Sequence, residues 1–471
     1  MNIIGRKQEQ ALLERCYTAE HPDFVAVYGR RRIGKTYLIK EYFNNRFTFY
    51  ASGMAEEKTA TQLQNFHLAL QEYFEGDFPA PANWLEAFVQ LERLVKAQKT
   101  KEKKVIFLDE LPWLDTPKSG FLTALEHFWN SFASSRPDIL LIVCGSATSW
   151  MVSNLIDNYG GLHNRITEQI LLQPFTLLEC EEYFRSMGIV YNRYQIAESY
   201  MIFGGIPYYM SRMKSMYGLN QNVDMLLFAK TASLSGEFLR LFHSLFRNSN
   251  NHIQIVRLLS DKTEGLTRKE IIGQSGIPDG GGLTKVLVEL EQCGFIESYE
   301  DYNKRRNGEY YKLIDFFSLF YLKYVENNKS RDEHFWTNYL LNPAHKTWCG
   351  YAFERVCMMH AAQIKSTLGI SGVSTNIFSW RSKSTKPSAQ IDMILDRKDS
   401  VINLCEIKYS VAKYAISKSD DEDFLRRRTA FLKETGTKSA LHQTLITTYG
   451  LEHNAYCNNI QSEITLDDLF R

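Results

Sequence analysis

The chain has 471 residues, 44% of them hydrophobic and 23% charged, with a formal net charge of +1 at pH 7. That length predicts roughly two to four domains, and the near-neutral balance excludes a surface that is basic throughout, so any nucleic-acid patch has to be local. The longest apolar run, ILLIVC at 139–144, is far too short to span a bilayer. The opening MNIIGRKQEQ lacks the apolar core of a secretory signal. Eight cysteines stand singly with no CxxC pair, a pattern expected of free thiols in a reducing cytoplasm rather than of a zinc ribbon or disulfide framework. No membrane partner is expected.

FVAVY (24–28) reads as a buried strand, GRRRIGKT (29–36) fits GxxxxGK(S/T) in full, and YLIKEYF continues as a helix. In such a loop the backbone N–H groups of Gly29, Arg30, Arg31, Arg32, Ile33 and Gly34 turn toward phosphate. Lys35 reaches the β- and γ-phosphates of ATP, Thr36 ligates Mg2+, and Tyr37 opens the helix whose N-terminal dipole adds positive potential. The arginines are permitted there rather than required, because the backbone does the binding. VIFLDE (105–110) is a second strand ending in two acids, with Asp109 expected in the Mg2+ shell and Glu110 expected to orient or deprotonate the attacking water. ILLIVCGS (139–146) is a third strand with Ser146 at its C-terminal end, where open α/β sheets bind ligands. Ser146, Thr148 and Ser149 are candidates to contact the γ-phosphate or the water, and Arg165 in NRIT (164–167) is a candidate arginine finger.

IIGRKQEQALLE, GRRRIGKT, VIFLDE, CGSATSW and GGIPYYM (204–210) together resemble the archaeal-type AAA-related P-loop ATPases of the STAND group over about residues 1 to 245. The resemblance implies that Ile4, Gly5 and Arg6 lie beside the adenine, and that Gly204, Gly205 and Pro207 form a turn in a helical lid. It usually places the later arginine in a YGR-like context, where this sequence has HNR.

Residues 171–245 read as the helices of that lid. From about 250 HIQIVRLLSD, LTRKEIIGQSG and GGGLTKVLVELEQCG predict three helices, the second with a Thr267–Glu270 capping box. FIESYEDY and GEYYKLID then flank NKRRN as a β-hairpin. Three helices and a hairpin predict a winged helix-turn-helix. Lys304, Arg305 and Arg306 at the wing tip suit phosphates, while Glu289 and Glu291 beside Thr284 and Lys285 do not suit a major groove. The module is therefore either a DNA reader or an internal docking piece.

QIDMILD and VINLCEIKYS (390–410) alternate around a polar turn, and a hairpin centred on Asp399 sets Asp392 opposite Glu406, with Lys408 on the same face. Carboxylates facing each other across a sheet repel; a shared divalent metal, Mg2+ or Mn2+, compensates. GYAFERVCMMH (350–360) predicts a helix from which Glu354 leans toward the sheet. Glu354, Asp392, Glu406 and Lys408 resemble the PD-(D/E)XK nuclease core over about residues 325 to 471, with Ile-Asp in place of the usual Pro-Asp. Arg426, Arg427 and Arg428 are either a phosphate contact or a solvated helix face.

The expected fold is therefore multidomain α/β: a P-loop NTPase sheet (1–170), a helical lid (171–245), a winged helix-turn-helix (246–324) and an α/β PD-(D/E)XK nuclease-like domain (325–471). The expected function is an ATP-hydrolysing switch that gates this last domain on nucleic acid. DNA, a protein partner or self-association are the candidate macromolecular contacts. The alternative is a regulatory ATPase whose C-terminal domain only docks a partner or DNA.

Overall fold

The computed structural model describes residues 3–471 apart from 101, 158–161, 163, 247, 263, 300–308, 329–331 and 383–388. The chain forms two compact units, one of Met1–Gln173 with His243–Arg247 and Val288–Gly294, the other of Pro174–Phe242, Asn248–Leu287 and Phe295–Arg471. Among the described residues no helix is long and apolar enough to cross a membrane.

In the first unit the apolar runs become strands β1 (Asp23–Tyr28), β2 (Phe49–Ser52), β3 (Lys104–Asp109), β4 (Ile139–Gly145) and β5 (Glu168–Leu171). They form a parallel sheet in the order β2-β3-β4-β1-β5. Every residue of β3 and β4 is buried, as expected of central parallel strands covered on both faces. One face packs on helices Thr59–Tyr73, Trp84–Ala97 and Phe121–Ser131 through Phe49, Phe66, Trp84, Phe88, Phe121 and Phe128. Trp84 meets Phe121 edge-on at 4.9 Å, the offset geometry that ring quadrupoles favour. The order has a direct consequence for the site: β4 lies between the strand leading into GRRRIGKT and the strand ending in Asp109, so the C-terminal ends of all three converge.

The second unit begins with helices Leu177–Ser186 and Arg193–Phe203, each opened by a capping box, Thr176 with Glu179 and Asn192 with Gln195. Helices Asn250–Ser260 and Arg268–Ser275 follow, with the first part of helix Gly281–Gln292, whose residues from Val288 onward belong to the first unit, and Thr267 and Glu270 make the expected reciprocal cap. Short strands β6 (Leu266–Thr267), β7 (Ile296–Tyr299) and β8 (Tyr310–Leu313) pair antiparallel in the order β6-β8-β7. Lys304, Arg305 and Arg306 lie outside the described residues.

The C-terminal part is a mixed sheet of β9 (Thr375–Arg381), β10 (Gln390–Arg397), β11 (Val401–Lys408), β13 (Ala440–Thr447) and β15 (Ser462–Thr465), in the order β15-β13-β11-β10-β9. β12 (Tyr414–Ala415) and β14 (Leu451–Glu452) form a separate small pair. β9, β10 and β11 run antiparallel, and β11, β13 and β15 parallel. Helix Pro343–Met359, which contains most of the predicted 350–360 helix, buries Ala352, Phe353, Val356 and Cys357.

The hairpin register is the expected one, Met393 pairing with Cys405 and Ile394 with Leu404; the ladder ends at that first pair, immediately before Asp392 and Glu406. Strict alternation is not kept. A bulge between Ile391 and Ile394 shifts β10 against β9. It puts both isoleucines into the same core cluster with Trp380 and Phe431, although alternation assigns them to opposite faces. Asp392 sits inside this bulge, and a bulge is a local device for re-aiming one side chain.

Candidate functional sites

The glycine loop passes from β1 into helix Lys35–Tyr42, with Gly29 at φ 131° and Gly34 at φ 91°. A Cβ on Gly29 would lie 2.5 Å from the Leu172 carbonyl oxygen, so this position is closed to side chains by space as well as by conformation. Gly29→Ala is expected to cost about 1–3 kcal/mol of stability and to weaken ATP binding, measured by denaturant melts and nucleotide titration; a variant of native stability and affinity would show that the loop need not approach Leu172 so closely. Lys35 is buried, and its Nζ donates to the carbonyls of Gly29 and Arg30 at 2.9 Å each. Arg30 is buried, Arg31 and Arg32 are partly exposed, and Ile33 is fully enclosed. Tyr37 projects outward, 45% exposed. Arg6, 6% exposed and left-handed at φ 55°, directs its guanidinium to the Ile33 carbonyl at 3.4 Å, which places the N-terminal Gly5-Arg6 segment directly against the loop.

Thr36 Oγ1 donates to Asp109 Oδ2 at 2.9 Å. Burial, then the neighbouring Glu110 carboxylate, push the Asp109 pKa up, against the hydrogen bonds it receives from Thr36, Cys144 and the Glu110 N–H. Two oxygen donors at this spacing match a cis edge of an Mg2+ octahedron, about 2.9–3.0 Å for bonds of about 2.1 Å. Glu110 takes a left-handed φ of 47°, and its carboxylate is gripped by Ser146, whose Oγ donates at 2.7 Å and whose N–H donates at 3.3 Å. A non-glycine residue held there is a local strain of the kind that collects at functional sites. Ser146 thus positions Glu110 in this structure. Thr148 is buried and Ser149 half-buried, just past β4, and Arg165 is exposed.

The second unit carries a different cluster. Glu354 on helix Pro343–Met359, Asp392 in the β10 bulge, and Glu406 and Lys408 on β11 interact electrostatically. The Ile407 N–H donates to Asp392 Oδ2 at 3.1 Å. Lys408 Nζ donates to Glu406 Oε1 at 2.8 Å, and Arg427 from helix Lys418–Thr435 donates to the other oxygen. Arg427 therefore turns inward to the sheet, while Arg426 pairs with Asp423 on its own helix. Burial, then Glu406 and Glu354, raise the Asp392 pKa well above its ordinary value. Burial also lifts Glu354 to about 7, against Lys312 and Arg355. Burial lowers Lys312, with Arg355 adding to the effect, and brings Arg355 down to about 10.

Glu354 and Asp392 line a cleft of about 300 Å³ together with Lys312, Arg355, Tyr299 and Tyr310. Lys312, Arg355 and the inward role of Arg427 were not legible as site residues beforehand. Lys312 belongs to β8, some eighty residues before Asp392, and only the fold joins them; Arg355 adjoins Glu354 in the sequence, which was a usable signal. The buried Nε atoms of Arg355 and Arg427 have no hydrogen-bond partner among the described residues.

A glycine loop, a Thr–Asp oxygen pair and a serine-held glutamate at the C-terminal edge of a parallel sheet define a Walker-type P-loop nucleotide site. Residues 4–213 match the family model described as an ATPase domain predominantly from Archaea, and this part of the chain is an archaeal-type ATPase domain. The uncharacterized protein MJECL04 of Methanocaldococcus jannaschii is 22% identical over 433 residues, covering 90% of this chain and 91% of that protein. The uncharacterized ATP-binding protein MJ0423 of the same organism is 42% identical over 44 residues, 9% of this chain and 75% of its own length. Among solved structures, the Walker-type ATPase PABY2304 of Pyrococcus abyssi superposes with a TM-score of 0.51 at 18% identity, covering 68% of this chain and 96% of that one.

Proposed function

We propose that the protein is an ATP-hydrolysing switch of the STAND kind, coupled to a metal-dependent nuclease-like site that acts on or binds nucleic acid in the cytoplasm. In this reading residues 1–170, 171–245, 246–324 and 325–471 are ATPase core, lid, winged helix and nuclease-like domain. Lys35 holds the β- and γ-phosphates, Thr36 and Asp109 hold Mg2+, and Glu110, fixed by Ser146, takes the proton of the attacking water. The bound Mg2+ supplies charge neutralisation on the phosphates. Arg165, exposed, is left as a candidate finger supplied to a neighbouring copy.

The observation that carries the second half is the electrostatic cluster of Glu354, Asp392, Glu406 and Lys408 from one helix and two strands, of which Glu354 and Asp392 line a cleft that also holds Lys312 and Arg355. Asp392 and Glu406 offer only oxygen, a donor set suited to Mg2+ or Mn2+. Such an ion, when bound, supplies Lewis-acid stabilisation of phosphate charge. Lys408 then stands beside the reacting phosphate, the cleft cations meet the backbone, and Tyr299 and Tyr310, stacked at 5.7 Å, offer a face to a base.

One observation favours the rival reading of a silent docking domain: Glu406 is already paired by both Lys408 and Arg427, so its charge is compensated without a metal. The two readings separate on the full chain. With Mn2+ and DNA, the wild type is expected to cleave, and Lys408→Ala to lose cleavage while retaining metal-dependent melting. Binding without cleavage by the wild type would select the docking reading.

A further inference from the structure

A third cluster of ligating side chains lies outside both of these sites. Glu198 comes from helix Arg193–Phe203, and His345 and Cys349 come from helix Pro343–Met359. The i,i+4 spacing sets His345 and Cys349 on one helical face. One ligand atom from each of the three residues lies within 4.8 Å of the others. Cys349 Sγ is 3.7 Å from His345 Nε2 and 3.8 Å from Nδ1.

The surroundings are built rather than incidental. Tyr409 donates its hydroxyl to Glu198 Oε1 at 3.2 Å and stacks on Tyr194 at 5.1 Å, so the carboxylate is held by the type of outer partner that orients metal ligands. Trp336 and Trp348, both buried, pack against the His345 ring at 5.1 and 6.1 Å, and His345 itself is half-buried. Cys349 is fully buried. No lysine or arginine forms an ion pair with Glu198 among the described residues, so a largely enclosed carboxylate faces a thiol and an imidazole with no cation to balance it.

We propose that Glu198, His345 and Cys349 bind one Zn2+-class divalent cation. A thiolate, an imidazole and a carboxylate form a borderline-soft donor set that suits zinc and not the oxygen-preferring Mg2+ or Ca2+. Bond lengths of about 2.0–2.3 Å give tetrahedral edges of about 3.3–3.8 Å. The present spacing thus needs each ligand atom to move by on the order of half an ångström, a rotamer adjustment. Binding forms a metal–sulfur bond and releases the Cys349 thiol proton to solvent, with no change of oxidation state. Three protein ligands leave the fourth position to water. The ion clamps the helix Arg193–Phe203, which follows the ATPase sheet in sequence, to the helix that carries Glu354. The segment preceding the winged-helix helices is thereby tied to the C-terminal cluster within one unit.

The test uses the full-length chain, stripped with chelator and titrated with Co2+ as a spectroscopic stand-in, without nucleotide. One equivalent is expected to give a thiolate-to-cobalt charge-transfer band with the strong ligand-field bands of a tetrahedral site, and Zn2+ is expected to bleach both. Cys349→Ser is expected to lose the charge-transfer band. Glu198→Gln, which still accepts from Tyr409, is expected to weaken Co2+ binding by at least about tenfold, and it reports on the site should the serine variant not fold. No charge-transfer band in the wild type at excess Co2+, or a band that persists in Cys349→Ser, overturns the assignment.

Discussion

Glu110→Gln is expected to bind ATP about as tightly as the wild type and to turn it over about 10²–10³-fold more slowly, the range for loss of a positioned general base. The phosphate-holding parts are elsewhere: the loop backbone, Lys35, and the Thr36–Asp109 pair. Glutamine keeps an oxygen for the Ser146 hydroxyl, so the fold of the turn is retained while the proton acceptor is lost. Lys35→Ala is expected to give the opposite phenotype, weakened binding with Glu110 intact and still held by Ser146. Affinity and turnover have to be measured separately, because a combined activity assay reads both variants as dead. Normal turnover by Glu110→Gln would move the base to another residue and leave Ser146 holding a structural carboxylate.

Asp392→Asn is expected to stabilise the chain by about 1–2 kcal/mol in chelator at neutral pH and to lose most of the stabilisation that Mg2+ or Mn2+ gives the wild type. The first effect follows from linkage. The folded Asp392 and Glu354 have raised pKa values, Asp392 above 3.8 and Glu354 from 4.5 to about 7. The folded state therefore holds protons that the unfolded state has released. The stability these groups contribute is fully present below their unfolded values and falls as pH rises through the folded ones, at up to about 1.4 kcal/mol per pH unit per proton. The metal-free wild type is thus expected to lose stability between about pH 4.5 and pH 7, and the asparagine variant to show a flatter profile. Melting curves at several pH values, with nucleotide omitted so that the P-loop does not contribute its own Mg2+ dependence, check both parts. Equal metal-induced shifts in wild type and variant would remove the metal from this hairpin.

The two sites were unequally legible. GRRRIGKT is contiguous, and its chemistry is local: a strand, a tight turn and a helix start lie within one short stretch, so Gly29, Lys35 and Thr36 were readable directly. The hairpin register was also readable, since a polar turn at Arg397–Ser400 and the pleat fix which residue faces which. The bulge at Asp392 was not, because QIDMILD alternates in sequence and the irregularity arises from pairing with β9. Nor was the grip of Ser146 on Glu110, which depends on β4 lying beside β3 in a sheet whose order is non-local. Arg427 reads on its helix as one of three arginines suited either to a phosphate contact or to a solvated face, and becomes a partner of Glu406 only because helix Lys418–Thr435 joins the core cluster of β10, β11 and β13 through Ala430 and Phe431. Glu198, His345 and Cys349 escaped for the same reason: HxxxC on an apolar helix is silent until a glutamate from far upstream arrives opposite it.

The central claim is that the nucleotide at the P-loop controls the carboxylate cluster of the second unit. It is tested most directly by Mn2+-dependent cleavage and binding of DNA by the full chain in two states, Glu110→Gln saturated with ATP and Lys35→Ala without it. The account predicts that the two differ, in cleavage rate or in DNA affinity, by at least about tenfold, which corresponds to a coupling of about 1.4 kcal/mol, and that Lys408→Ala added to either removes the cleavage. The same rate and the same affinity in both states would contradict it, leaving an ATPase and a carboxylate cluster on one chain with no control of one by the other.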